Sequence, residues 1–228
     1  VGKRGTVIAG TGSYSTEESI KLTKEAEQTG VDGCLLVVPY YNKPTQEGLI
    51  AHFNAIAGAT RLPCILYNVP ARTITNLAPE TVIRLTKVHN IVALKEASGN
   101  LEQASKIIQA APGNFLVYSG NDSDTLPLMA LGAYGVISVA SHLVGKQIKG
   151  MMDAFLSGNT TGAAAAHRRL LPLVNNLFIL SNPIPVKYAL NRLGFKVGKP
   201  RLPLTEPDEQ SADKIDACLK SYTIDLPV

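Results

Sequence analysis

The 228-residue chain is 45% hydrophobic and 18% charged, which is typical of a globular protein with a sizeable core and excludes extensive disorder. Its net charge of +4 comes from scattered Lys and Arg residues, with no basic run longer than 167–169, which argues against nucleic acid as a partner. We find no membrane-length apolar stretch, no secretory signal and only three dispersed cysteines, so we expect a cytoplasmic protein without a membrane partner.

Six short apolar runs alternate with longer amphipathic segments. The runs are rich in β-branched residues and apolar on both faces, as buried parallel strands are, and they lie at 6–10, 33–39, 63–70, 90–97, 114–121 and 133–140. Helix-start residues and glycine stops predict helices over 16–29, 45–59, 78–87, 100–110, 123–131 and 144–157. Six strand–helix units in a row indicate a parallel α/β sheet.

The pattern changes after Gly158. Three helices are predicted over 159–180, 183–193 and 208–222, with no strand between them. We interpret residues 159–228 as a C-terminal helical appendage to the strand-bearing region 1–158.

Two architectures fit six strand–helix units. An open doubly wound sheet needs only five or six strands, whereas a (β/α)₈ barrel needs eight. The predicted strand ends are rich in polar residues and read Thr11, Tyr40, Tyr41, Tyr67, Asn68, Lys95, Glu96, Ser119, Gly120, Asn121 and Ser138. This density favours a TIM barrel with its chemistry at one mouth, and the chain would then start two units late.

Lys95 ends an apolar strand, where an ammonium group is costly. Alternation places it on one face with two small residues, Ala93 and Ala97, which leave space around it. A confined, partly dry site lowers the pKa of a lysine, and a neutral amine attacks ketones to form a Schiff base. The alternatives are a lysine that extends to solvent or pairs with Glu96.

The preceding strand supplies suitable partners. Tyr67 lies near its end and Arg72 just beyond it. A tyrosine hydroxyl both donates and accepts protons, and the planar guanidinium group suits a carboxylate. Each residue alone has a simpler interpretation: Tyr67 would only pack against its neighbours, and Arg72 would only be solvated.

Six motifs together resemble the dihydrodipicolinate synthase family, within the pyruvate-dependent class I aldolase superfamily that includes N-acetylneuraminate lyase. They occur in the family's order and spacing along essentially the whole chain: IAGTGS (8–13), VPYYNKP (38–44), YNVPAR (67–72), LKEASGN (94–100), GVISV (135–139) and NPIPVK (182–187). The resemblance implies a TIM barrel, here without its first two strand–helix units and one relay threonine.

The resemblance also implies roles for individual residues. Lys95 matches the lysine that forms the imine with pyruvate, and Tyr67 matches a proton-relay tyrosine. Tyr41 matches a relay tyrosine supplied across a dimer interface, so a homodimer or homotetramer is expected. Arg72 matches the arginine that holds the carboxylate of aspartate semialdehyde. Gly120 and Ile137 match backbone positions near the substrate and the lysine.

Regulation by lysine is a further property of the family. Glu18 and Tyr40 match part of its effector site, whereas Tyr14 stands where asparagine is common. A helix N-terminal carboxylate favoured by the helix dipole is the simpler reading of Glu18.

The function implied is the condensation of pyruvate with L-aspartate 4-semialdehyde to 4-hydroxy-tetrahydrodipicolinate in lysine (diaminopimelate) biosynthesis. No cofactor is expected beyond the covalent imine, and no metal, because the four histidines are dispersed and no paired-cysteine or HExxH motif occurs. Two alternatives remain open. One is another pyruvate aldolase of the superfamily, acting on sialic or keto-sugar acids, and the other is an inactive fragment that only binds.

Overall fold

Six parallel strands form the sheet of the first compact unit. The computed structural model describes residue 2 and residues 4–225, and the chain divides into two units, Val1–Ile137 and Ser138–Val228. The strands are β1 (Ile8–Gly10), β2 (Gly33–Val37), β3 (Cys64–Asn68), β4 (Ile91–Glu96), β5 (Leu116–Ser119) and β6 (Gly135–Val136). They pair in chain order, β1-β2-β3-β4-β5-β6. A doubly wound sheet reverses this order at a switch point, so the sheet is a barrel-type arc.

Helices connect successive strands of this unit. They are α1 (Thr16–Gln28), α2 (Gln46–Ala57), α3 (Pro70–Thr73), α4 (Pro79–Leu85), α5 (Leu101–Ala110) and α6 (Thr125–Ala130), with a 3₁₀ turn at Asp122–Asp124. The side-chain oxygens of Ser15, Thr45 and Asn100 accept hydrogen bonds from the first turns of α1, α2 and α5, which explains where these helices begin.

One face of the sheet packs against the helices and forms the core. Strand residues at alternate positions point to it, and the buried cluster includes Cys34, Leu36, Leu66, Leu94, Val117, Leu49, Phe53, Ile56, Leu85 and Ile107. The residues between them lie on the opposite face. Near the carboxyl ends of β2 to β5 these include Val37, Tyr67, Lys95 and Tyr118, which are successive partners in the strand register. The fold therefore places side chains from four strands in one row.

The described residues of the second unit form four helices: α7 (Ser141–Leu156), α8 (Thr160–Asn176), α9 (Ile184–Arg192) and α10 (Glu209–Leu219). Helix α7 begins three residues before the predicted start and has non-helical backbone angles at Val144. The Arg192 guanidinium and the Asp216 carboxylate form an ion pair between α9 and α10 at 3.0 Å. Among the helices in the described residues, none combines the length and hydropathy that crossing a bilayer requires.

Candidate active site

Lys95 and Tyr67 lie side by side at the carboxyl ends of β4 and β3. They are partners in the parallel register, and Lys95 Nζ lies 4.2 Å from the centroid of the Tyr67 ring. Both side chains are half-buried. The sequence predicted that these two residues lie close together across adjacent strands, and the structure brings them into contact.

The surroundings of Lys95 favour the neutral amine. Burial lowers the pKa of its ammonium group, the Asp122 carboxylate raises it, and the Arg72 guanidinium lowers it. Burial also raises the pKa of the Tyr67 phenol, while Arg72 lowers it. An amine that loses its proton more readily than usual thus lies next to a phenol that keeps its own. That combination suits nucleophilic attack assisted by a proton donor.

Glu96 does not pair with Lys95. It is the next residue on β4 and points to the helix-facing side of the sheet, where it is only 2% exposed. Its carboxylate accepts hydrogen bonds from the Ser98 N–H at 2.6 Å, from Asn68 Nδ2 and from Gln103 Nε2. The alternative of a Lys95–Glu96 ion pair is therefore wrong.

Arg72 is carried by the short helix α3, immediately after β3. The N–H of Arg72 donates to the Val69 carbonyl at 2.9 Å, and the Thr73 hydroxyl donates to the Val69 and Thr75 carbonyls. Arg72 itself is exposed, yet its charge acts on both Lys95 and Tyr67. The turn thus holds the Arg72 guanidinium near Lys95 and Tyr67, and the guanidinium stays accessible to an anion.

Gly120 and Ile137 follow β5 and β6. The Gly120 N–H donates to the Glu96 carbonyl at 2.7 Å, and the Ile137 N–H donates to the Ser119 carbonyl at 2.9 Å. Both extend the strand ladder by one residue. A Cβ built on Gly120 would lie 3.1 Å from Lys95 Cγ, so this glycine borders the lysine side chain directly.

Tyr41 is separate from this group. It lies in the loop after β2 with a left-handed backbone (φ 76°) and is 90% exposed. Within the described residues, neither a hydrogen bond nor a ring contact joins Tyr41 to Lys95 or Tyr67.

The three residues assigned to an effector site lie in one neighbourhood. The rings of Tyr14 and Tyr40 pack edge to face with centroids 5.6 Å apart. Glu18 accepts a hydrogen bond at 2.7 Å from the hydroxyl of Ser13, the neighbour of Tyr14. Asn42 Nδ2 donates to the Tyr14 carbonyl at 2.9 Å and ties the Tyr40–Tyr41 loop to this region.

Two residues near Lys95 were not assigned to the site by the sequence analysis. Tyr118 on β5 is the register partner of Lys95 on the side away from Tyr67, and its ring packs on Tyr134. Asp122 is buried and exerts a field on Lys95. Strand alternation would have found Tyr118, whereas the position of Asp122 depends on a 3₁₀ turn that the sequence did not reveal. In the described part of the chain, no group of three or more His, Cys, Asp or Glu side chains is arranged to bind a metal.

A model of the dihydrodipicolinate synthetase family matches residues 1–222. The chain belongs to this family. It is 65% identical over 228 residues to a 4-hydroxy-tetrahydrodipicolinate synthase of Dehalococcoides mccartyi, covering 100% of this chain and 77% of that relative.

Solved structures of dihydrodipicolinate synthases share the fold. The enzyme from Bacillus anthracis superposes with a TM-score of 0.96 at 46% identity, over 98% of this chain and 76% of that one. The enzyme from Cyanidioschyzon merolae with lysine bound superposes with a TM-score of 0.94 at 49% identity, over 97% of this chain and 75% of that one. The chain spans about three quarters of the length of these family members.

Proposed function

We propose that this chain condenses pyruvate with L-aspartate 4-semialdehyde to 4-hydroxy-tetrahydrodipicolinate, in lysine (diaminopimelate) biosynthesis. It is an enzyme of the 4-hydroxy-tetrahydrodipicolinate synthase type, as its family and relatives at up to 65% identity show. The observation that carries the mechanism is the 4.2 Å contact between Lys95 Nζ and the Tyr67 ring.

Lys95 is the nucleophile in this proposal. Its neutral amine attacks the ketone carbon of pyruvate, and loss of water gives an imine. The protonated imine nitrogen then accepts the electron pair left when a methyl proton passes to the Tyr67 oxygen, which gave up its own proton in the preceding step, so an enamine forms without a metal. The enamine carbon attacks the aldehyde carbon of the second substrate. Attack of that substrate's amine on the imine carbon closes the ring and releases Lys95.

Tyr67 and Tyr41 move the protons. Tyr67 donates to the oxygen that leaves during imine formation, since its raised pKa keeps the phenol protonated. Tyr41 joins the relay from the partner subunit of a homodimer or homotetramer. Its 90% exposure and left-handed backbone support a role outside its own subunit.

Arg72 selects the acceptor. Its planar fork binds the carboxylate of aspartate semialdehyde through paired N–H donors. The backbone at Gly120 and Ile137 borders the substrate and the lysine. Two observations support this placement: a Cβ built on Gly120 would lie 3.1 Å from Lys95 Cγ, and Ile137 follows β6, which pairs with the strand of Tyr118.

The arc of six strands represents units three to eight of a (β/α)₈ barrel in this proposal, within residues 1–158, and residues 159–228 form the helical appendage. The unbroken strand order and the coverage of about three quarters of each relative support it. The role of the relatives in biosynthesis supports a cytoplasmic location.

A lysine effector site at Tyr14, Glu18 and Tyr40 is also proposed. The edge-to-face tyrosine pair and the nearby carboxylate offer an aromatic face and an anion to an amino acid. The Cyanidioschyzon merolae relative was solved with lysine bound.

Reduction with borohydride in the presence of pyruvate tests the central claim. Peptide mass spectrometry should locate a reduced pyruvate adduct on Lys95. The adduct should be absent in Lys95→Arg and present in Lys87→Arg, an exposed lysine on the same unit. Adduct on another lysine, or none, would contradict the mechanism and favour an inactive fragment. Turnover of pyruvate with sugar aldehydes but not with aspartate semialdehyde would instead favour another aldolase of the superfamily.

A further inference from the structure

A network of polar side chains lies on the helix-facing side of the sheet, behind the Lys95–Tyr67 pair. We call it the amide network, and it consists of Gln46, Asn68, Asn76, Glu96 and Gln103. None of the steps proposed above uses these side chains. Asn68, Glu96 and Gln103 are buried, so their hydrogen bonds have to be made within the protein.

The centre of the amide network repeats the pairing of the active site on the opposite face. Asn68 follows Tyr67 and Glu96 follows Lys95, and Asn68 and Glu96 are partners in the same strand register. Asn68 Nδ2 donates to the two Glu96 carboxylate oxygens at 3.3 and 3.2 Å. The ends of β3 and β4 are therefore joined by side chains as well as by the backbone.

Asn76 connects this centre to the loop that follows Arg72. Its Oδ1 accepts from Asn68 Nδ2 at 2.9 Å and from Gln103 Nε2 at 3.2 Å, and its Nδ2 donates to Gln103 Oε1 at 2.7 Å. The next residue, Leu77, donates its N–H to Asn68 Oδ1 at 2.9 Å. Two amide side chains, one on β3 and one on α5, thus hold the loop.

Gln46 holds the same loop from α2. Its Nε2 donates to the Asn76 carbonyl at 2.9 Å, and its Oε1 accepts from the Ala78 N–H at 3.1 Å and from the Thr81 hydroxyl at 2.6 Å. The loop between α3 and α4 is therefore fixed from three separate elements. Each bond lies in a part-buried or buried setting, where a polar group left without a partner destabilises the fold.

The start of this loop is strained. Ile74, two residues after Arg72, has a left-handed backbone (φ 63°), which a β-branched residue rarely adopts, and it is 67% exposed. Such a conformation persists only where the surrounding structure over-determines it. The amide network supplies that constraint within five residues of Arg72.

We propose that Asn76 is a positioning residue for the acceptor substrate, because it fixes the turn carrying Arg72 relative to Lys95 and Tyr67. The proposal rests on the assignment of Arg72 to the carboxylate of aspartate semialdehyde. The sheet itself holds Lys95 and Tyr67, so imine formation with pyruvate depends on the loop only through the charge of Arg72. Capture of the second substrate depends on the loop directly, because Arg72 binds that substrate.

Steady-state kinetics of Asn76→Ala in the full chain test this division. We expect the KM for aspartate semialdehyde to rise about tenfold, the effect of losing roughly one strong contact. The KM for pyruvate and the yield of the borohydride-trapped Lys95 adduct should stay within about twofold. Equal increases in both KM values, or none, would overturn the proposal.

A second variant covers the case in which Asn76→Ala fails to fold. Gln103→Met removes the amide that pairs with Asn76 while keeping a side chain of similar volume, and it should shift the KM for aspartate semialdehyde in the same direction. Gln109→Met, the same change at an exposed position of α5, is the matched control and should leave both KM values unchanged.

A double-mutant cycle separates positioning from a general structural effect. If Asn76 acts through Arg72, then Asn76→Ala should have little further effect on the KM for aspartate semialdehyde in an Arg72→Ala background. Additive effects would overturn the proposal. An unchanged KM for aspartate semialdehyde in Arg72→Ala would overturn both the positioning role of Asn76 and the substrate-binding role of Arg72. A missing pyruvate adduct in the unaltered protein would instead refute the proposed Schiff-base function.

Discussion

Gly120 leaves no room for a side chain beside Lys95. A Cβ at position 120 would lie 2.7 Å from Ala97 Cβ and 3.1 Å from Lys95 Cγ. The Gly120 N–H is also bonded to the Glu96 carbonyl, so the backbone cannot retreat without breaking the ladder. The Lys95 side chain can therefore keep its observed conformation only because residue 120 is a glycine.

Replacing Gly120 with Ala should displace Lys95. We expect a loss of about 1–3 kcal/mol of stability from overpacking, and at least a tenfold slower formation of the trapped pyruvate adduct. Borohydride trapping at fixed times measures the rate. Gly113→Ala is the control, since a Cβ there meets nothing within 4 Å. An unchanged trapping rate in Gly120→Ala would show that Lys95 does not depend on this contact.

Substitution of Arg72 should affect the two substrates unequally. Arg72→Lys keeps the charge but loses the paired donors, so we expect the KM for aspartate semialdehyde to rise about tenfold, and about a hundredfold for Arg72→Ala. Pyruvate should be affected much less. Arg61→Ala removes an exposed arginine that precedes β3, at the other end of the strand, and should change neither value. Equal effects on both substrates would argue against acceptor recognition.

The pH dependence of imine formation should move when Asp122 is neutralised. The Asp122 carboxylate raises the pKa of Lys95, so Asp122→Asn should lower that pKa and make the neutral amine available at lower pH. The rising limb of the trapping rate against pH should therefore shift to lower pH. Asp213→Asn, at an exposed position of α10, should leave the profile in place. A shift to higher pH would contradict the assigned field.

His52 should make the fold sensitive to acid. Its ring is buried, with Nδ1 2.8 Å from the Thr16 hydroxyl oxygen and Nε2 without a hydrogen-bond partner in the described residues. Burial lowers its pKa from 6.5 to about 4. The folded chain therefore keeps the ring neutral while the unfolded chain protonates it, and stability is fully present above pH 6.5 and is lost as pH falls towards 4.

Urea unfolding at pH 7 and pH 5 measures how much His52 contributes to the loss of stability in acid. We expect protonation of His52 in the unfolded chain to make the free energy of unfolding about 1–2 kcal/mol lower at pH 5 than at pH 7. His52→Gln should remove that part of the difference, whereas His89→Gln, at an exposed histidine, should retain it. The same difference in His52→Gln as in the unaltered chain would refute the assignment.

The periodic part of the fold was predictable because burial imposes it. All six strands lie within the apolar runs that predicted them, and alternation correctly placed Lys95 and Tyr67 on one face. The helix α3 and the 3₁₀ turn at Asp122–Asp124 were not predicted. Each is a single turn, too short to leave a periodic pattern, and each begins within three residues of a strand end.

The amide network escaped the sequence analysis for a related reason. Its members come from β3, β4, α2, α5 and a loop, and each side chain alone is an ordinary polar residue. Glu96 was considered only as a partner for Lys95, because the residues are adjacent in the chain. Alternation sends them to opposite faces, and the partners of Glu96 are 2, 7 and 28 positions away.

Consecutive residues on β3 and β4 lie on opposite faces of the sheet, with Tyr67 and Lys95 on one face and Asn68 and Glu96 on the other. Were β4 to slip by one position, the Lys95 ammonium would enter the buried layer beside Asn68 and Gln103, and the Glu96 carboxylate would face the phenol of Tyr67. The ammonium would then be buried without an anionic partner, and the carboxylate would lose its hydrogen-bond donors, so both changes disfavour the mispaired strand. The alternation that places Lys95 and Tyr67 on the catalytic face therefore also favours the correct register of β4 during folding.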